Sequence, residues 1–158
     1  MSDTIRIRRG RSADIDAVVE LWIAMMQDHE QFEPHLKLSP NAAQEYQHYA
    51  TYHVLNRDSS LVVAEDDRKI VGYCLAYRTK NLPMFLPEYY GYLSDLAIAP
   101  GYQRKGLGAS LLKRTLEWMR QNGVRNMQLQ VYERNAGGKK FWSAQGFDQY
   151  VRGMWLDL

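Results

Sequence analysis

The chain has 158 residues, of which 46% are hydrophobic and 24% charged, and its formal net charge is +2 at pH 7. That length can bury a real core, and residues 1–158 read as one domain without repeat, linker or low-complexity tract. The near-neutral balance lacks the strong basic excess of a nucleic-acid binder. No apolar run approaches the ~20 residues of a membrane span, and the N-terminal Arg6, Arg8, Arg9 and Arg11 precede no apolar signal core. The single Cys74 has no partner for an internal disulfide, which fits a reducing compartment and a cytoplasmic location.

Ile5 and Ile7 alternate with Arg6 and Arg8, the period of a short strand with one wet face. Ile15, Val18, Val19, Trp22, Met25 and Met26 form one apolar helical stripe, with Ser12 or Asp14 as its cap. Residues 28–35 then lack a helical period and read as a polar connection containing Asp28, His29, Glu30, Phe32, Glu33 and His35. The histidine spacings suggest no metal site. Ser39-Pro40 reads as an N-cap followed by proline at the first helical position, opening a tyrosine-rich helix (Tyr46, Tyr49, Tyr52) that ends near Asn56.

Residues 61–64 and 70–77 read as strands joined by a hairpin at 66–69. Residues 81–89 carry two prolines and read as an apolar loop. A central strand over 90–99 stops at Pro100-Gly101. A helix over 107–121 carries Leu107, Leu111, Leu112, Leu116 and Met119 on one side and ends at Asn122-Gly123. The remaining elements are a strand over 127–132, a short helix over 135–144 and a last strand over 150–156. Cys74, inside a strand, reads as a small buried hydrophobe.

The most telling segment is Gln103-Arg104-Lys105-Gly106-Leu107-Gly108-Ala109, between the central strand and the amphipathic helix. Glycines permit close backbone approach, and the first N–H groups of a helix have no internal acceptor. The helix dipole adds partial positive charge, and Arg104 and Lys105 add two full charges. A diphosphate fits such a place. A Walker loop is excluded because no Gly-x-x-x-x-Gly-Lys-Ser/Thr run exists. The Rossmann fingerprint is excluded because Leu111 stands where its third glycine would be.

Gln/Arg-x-x-Gly-x-Gly/Ala after Leu-Ala-Ile-Ala-Pro, with Leu111-Leu112 following, resembles the coenzyme A motif of the GNAT superfamily of N-acetyltransferases. Asn135, Phe141-Trp142 and Gly146-Phe147 resemble that superfamily's downstream block, in the same order and spacing. The resemblance implies a mixed α+β fold: a twisted, mostly antiparallel sheet of about six to seven strands, splayed at the cofactor site and flanked by about four helices. It implies acetyl-CoA as cofactor and direct acetyl transfer to a small-molecule or peptide amine, without metal or covalent enzyme intermediate. By position, the backbone of Leu96, Ala97 and Ile98 would pair with the pantetheine arm. The loop from Gln103 through Arg104, Lys105, Gly106, Leu107, Gly108 and Ala109 would hold the pyrophosphate. Asn135 would bond the arm from the other side, Lys139 and Lys140 would approach the nucleotide phosphates, and Trp142 belongs to the same block.

Two departures from the family pattern bear on chemistry. Ser94 stands where many relatives carry a glutamate on the central strand, and Trp142 replaces the tyrosine that protonates the thiolate. Asp95 is adjacent, but strand alternation sends it to the face opposite Ser94 unless a bulge re-aims it. Tyr92 shares Ser94's face, so Tyr92 and Ser94 are the catalytic candidates. Asp28, Glu30, Phe32 and Glu33, in the connection where the family builds its acceptor pocket, favour a cationic acceptor. Three other readings stay open. One is an acyl-CoA sensor without catalysis, and another is a toxin acetylating aminoacyl-tRNA, which the near-neutral charge disfavours. The third is an interaction role in which the last strand pairs with a second copy, a homodimer compatible with catalysis.

Overall fold

The computed structural model describes residues 5–158. In chain order the elements are β1 (Arg6–Arg9), α1 (Ile15–His29), α2 (Ala42–Leu55), β2 (Ser59–Asp66), β3 (Lys69–Lys80), β4 (Tyr89–Ile98), α3 (Leu107–Gln121), β5 (Met127–Gln128) and α4 (Ala136–Ala144). The five strands form one sheet in the order β1-β2-β3-β4-β5. The first three pairings are antiparallel, and β5 joins β4 in parallel after the α3 crossover. Among the described residues this is a mixed α+β architecture with a mostly antiparallel sheet and four α-helices.

Both faces of the sheet are covered, which explains the continuous apolar run of β3. Cys74 and Ala76, with Val62, Ala64 and Val71, pack against Leu107, Leu111, Leu112 and Met119 of α3. Tyr73 and Leu75, with Leu61 and Val63, pack against Ile15 and Val18 of α1 and Tyr46 and Ala50 of α2. The hairpin closes on an Asp66↔Lys69 pair. Its two central residues, Asp67 and Arg68, have φ of 44° and 64°, the backbone sign of a type I′ turn.

Several sequence expectations change, among them two helix caps and the last strand. Asp14 does not cap α1 with its side chain. Its carboxylate receives the Arg11 N–H at 2.7 Å and a two-pronged bond from the Arg8 guanidinium at 2.7 and 2.8 Å, because Arg8 projects from β1 toward it. The N-cap of α2 is Asn41, not Ser39, whose carbonyl instead accepts the Ala42 N–H in a preceding turn. Residues 150–156 form no strand. Instead Tyr150 bonds the Gln128 side chain and Trp155 stacks on His35, so side chains rather than a ladder hold this segment.

Candidate active site

β4 and β5 are paired only at Gly91↔Met127 and Tyr92↔Gln128. Past Tyr92 they part, and the expected strand over 127–132 continues as an unpaired wall. The separation coincides with a bulge. Opposite Leu75 and Ala76 of β3 stand Asp95 and Leu93, so Ser94 is an extra residue in β4. A bulge bends its strand and increases its local twist. It also reverses the alternation: Leu93 belongs to the α3 core, whereas Asp95, two residues on, meets Tyr46 of α2.

The gap opens into a cleft of about 1800 Å³. One wall is β4 from Tyr92 to Ile98, and the other is formed by residues 129–133 and the first turns of α4. The end of α1, residues 31–36 and the C-terminal segment around Trp155 close its far side. Along the first wall, the β4 backbone beyond Tyr92 has no strand partner on the β5 side.

At one end of the cleft lies the turn into α3. Gly106 has φ +81°, a left-handed conformation suited to glycine, and Arg104 has φ +57°. Ser110 is the first residue here to donate back to Gly106, so the N–H groups of Leu107, Gly108 and Ala109 precede the helical ladder. Gln103 and Arg104 line the cleft. The Gln103 amide donates to the Ile98 carbonyl at 3.1 Å and ties the turn to the strand end. Lys105 Nζ reaches back to the Gly101 carbonyl at 2.6 Å. The Leu107 side chain is core, and Gly108 lies against Leu96 and Phe141. On the facing wall Asn135 Oδ1 caps α4 by accepting the Gly138 N–H at 2.8 Å. Lys139 is turned onto Glu133 at 2.9 Å, while Lys140 lines the cleft. Trp142 also lines the cleft, its ring edge-on to Phe141 and Phe147.

At the other end are Tyr92, Ser94, Asp28, Phe32 and Glu33, with Glu30 outside the cleft lining. Ser94 Oγ donates to Asp95 Oδ2 at 2.6 Å and lies 2.9 Å from the Tyr49 hydroxyl. The Tyr46 hydroxyl donates to the same carboxylate oxygen at 3.0 Å. Burial pushes the Asp95 carboxyl above its ordinary range, opposed by the donors Ser94, Tyr46 and Trp22. Burial likewise raises the Tyr92 phenol. Glu33 is engaged by His35 through the His35 backbone N–H and ring, which hold its carboxyl below the ordinary range.

Sequence reasoning did not single out Trp22, Tyr132 or Trp155 as cleft residues, nor His29 as more than part of a polar connection. All four line the cleft. An aromatic in a helical stripe or near a chain end carries no local sign that it faces a cleft.

An open strand edge beside a glycine-bearing helix start is a place for an extended ligand that carries phosphate. The Acetyltransferase (GNAT) family model matches residues 22–147, and the chain belongs to that family of acyltransferases that use acetyl-CoA. An uncharacterized N-acetyltransferase of Archaeoglobus fulgidus is 25% identical over 142 residues, spanning 89% of this chain and 91% of that protein. A tetramutant of the BH1408 protein from Bacillus halodurans superposes with a TM-score of 0.81 at 23% identity, covering 97% of this chain and 99% of that one. A predicted acetyltransferase from Clostridium acetobutylicum, solved with acetyl-CoA, superposes with a TM-score of 0.80 at 17% identity, covering 97% and 96%. These two structures share the fold.

Proposed function

We propose that this chain moves an acetyl group from acetyl-CoA directly to a primary amine of a small molecule or peptide, within a ternary complex. The observation that carries this reading is the divergence of β4 from β5 beside the N-terminus of α3. The backbone of Leu96, Ala97 and Ile98 would pair with the pantetheine arm as an added strand. The N–H groups of Arg104, Lys105, Gly106, Leu107, Gly108 and Ala109 would hold the pyrophosphate, on a turn that Gln103 braces. Asn135 keeps its Nδ2 hydrogens for the arm, because its Oδ1 is used by the cap. Lys140 rather than Lys139 borders this end of the cleft.

Bound acetyl-CoA supplies an activated acetyl thioester. The chain supplies position and proton handling. Direct transfer is favoured because the one cysteine is fully buried and burial pushes its thiol up to about 12, which removes it as an acyl carrier. Ser94 is oriented by Asp95 and Tyr49, and with Tyr92 it would position the amine or a water beside it. The indole of Trp142 donates no usable proton, so the departing thiolate, whose thiol titrates near ~8.5, would be protonated by solvent. Asp28, Phe32 and Glu33 favour a cationic acceptor.

The test is thiol release from acetyl-CoA against polyamines, aminoglycosides, amino acids and lysine peptides, with coenzyme A binding followed by calorimetry. Turnover on one amine class is the expected result. Tight coenzyme A binding without turnover on any of them would overturn transfer in favour of a sensor.

A further inference from the structure

Helix α1 delivers one imidazole to the acceptor half of the cleft. His29 is the last residue of α1, and its ring lies between two aromatic rings from different walls. Phe32, on the segment after α1, is 6.1 Å away, and Tyr132, on the segment after β5, meets it edge-on at 5.4 Å. His29 Nδ1 is buried and has no hydrogen-bond partner, alone in this among the side-chain atoms of the described residues. Nδ1 is sealed from solvent, so His29, which lines the cleft, meets it through Nε2, which is not among the buried unpartnered atoms.

Asp95, Glu33 and His35, three other polar groups of this half, are already engaged. Asp95 lies under Ser94 and already accepts from Ser94 and Tyr46. Glu33 and His35 are bonded to each other, and His35 is stacked on Trp155. One charged group acts on the His29 ring, and the rings of Phe32 and Tyr132 face it from two other segments. Asp28, on its own helix, pulls the imidazole toward its charged form. Tyr132 stays a neutral phenol, raised first by burial and then by the Glu33 charge. Burial outweighs Asp28 and holds the imidazole below its ordinary range, leaving it neutral with a nitrogen able to accept a proton.

We propose that His29 is the catalytic residue that takes the proton from the acceptor amine as it attacks. This rests on the acetyl-transfer reading above. The ammonium acceptor first releases one proton to solvent. The amine nitrogen then bonds to the acetyl carbonyl carbon, the carbon–sulfur bond breaks with its electron pair on sulfur, and the proton lost by nitrogen passes to His29 Nε2, the ring nitrogen not sealed from solvent. The imidazolium returns that proton to solvent, and the sulfur takes one from solvent.

The experiment uses the full chain as wild type, His29→Gln and Asp28→Asn, with spermidine, tobramycin and a lysine peptide as acceptors. NMR of the ¹⁵N-labelled histidine rings reads the His29 titration without any turnover. Its midpoint is expected below about 6.5, and D28N lowers it further. In H29Q, coenzyme A binding by calorimetry stays as in wild type. Its kcat falls about 100-fold, and the rising limb of kcat/KM with pH, which in wild type follows the NMR midpoint, disappears. Retention of kcat and the limb in H29Q overturns this assignment alone. Absence of turnover by wild type on all three acceptors overturns the transfer reading and the assignment together.

Discussion

Ser94 Oγ lies 2.6 Å from Asp95 Oδ2 and donates to it, so two consecutive strand residues share one face. Only a bulge permits this, and its consequence is a carboxyl 7% exposed, held by a serine that itself borders the cleft. Because burial raises the Asp95 carboxyl above 3.8, the folded state binds more protons than the unfolded state between that value and the raised one. The Asp95 contribution to stability is therefore fully present below the ordinary value and is lost as pH rises through the raised one. Ser94→Ala removes a donor to the charged form, so it should cost about 1–3 kcal/mol at neutral pH. It should also steepen this pH dependence. Urea denaturation at several pH values checks both, and equal stability of S94A and wild type at neutral pH would contradict the relationship.

Asp14 behaves in the opposite sense. The bond from Arg8 holds its carboxyl below 3.8, so the unfolded state binds more protons as pH falls. Its contribution is present above 3.8 and is lost as pH drops through the depressed value. The two side chains are 13% and 7% exposed, and Arg8 also reaches Glu65 at 2.6 Å. Asp14→Ala should cost about 3 kcal/mol by leaving a half-satisfied guanidinium in the β1–β2 corner. Acid unfolding of D14A should show a flatter dependence than wild type in that window.

The hairpin turn offers a gain instead. Arg68 is exposed and sits at φ 64°, where a side chain costs about 1–2 kcal/mol that glycine avoids. Glycine loses more chain entropy on folding, so Arg68→Gly should stabilise by a net ~0.5–1 kcal/mol. Chemical denaturation measures it, and a loss of stability would mean that the turn relaxes differently.

Two glycines test the cofactor end. Gly108→Glu puts bulk against Leu96 and Phe141 and negative charge at the α3 N-terminus, so coenzyme A binding should fall below detection by calorimetry. A Cβ at Gly138 would stand 2.8 Å from Asn135 Nδ2. Gly138→Ala should therefore loosen the α4 cap by about 1 kcal/mol and turn the Asn135 amide away from the cleft. A weaker coenzyme A affinity is expected, and an unchanged one would remove Asn135 from the cofactor reading.

Local patterns carried much of this molecule. The apolar stripe of α3, the glycine-bearing turn before it, the 66–69 hairpin and the α4 start at Asn135 are each set by neighbours within a few residues. They were legible because propensity, capping and turn chemistry act over that range. The expected strand over 150–156 was not, since a strand exists only if another backbone edge accepts it. The paired part of β5 is just Met127–Gln128. The surroundings of His29 lack a helical period and read as a connection, yet α1 runs through it.

By itself, then, the sequence determined which segments become helices, where the glycine-bearing turn before α3 falls, and that Cys74 is buried. Tertiary structure alone decided that Ser94 and Asp95 share a face, that β4 and β5 part beyond Tyr92, and that His29 meets Tyr132 across a cleft. A bulge depends on the register of a partner strand, and an unpaired buried nitrogen depends on every element around it. Both properties belong to the assembled sheet and helices, and no stretch of chain carries them alone.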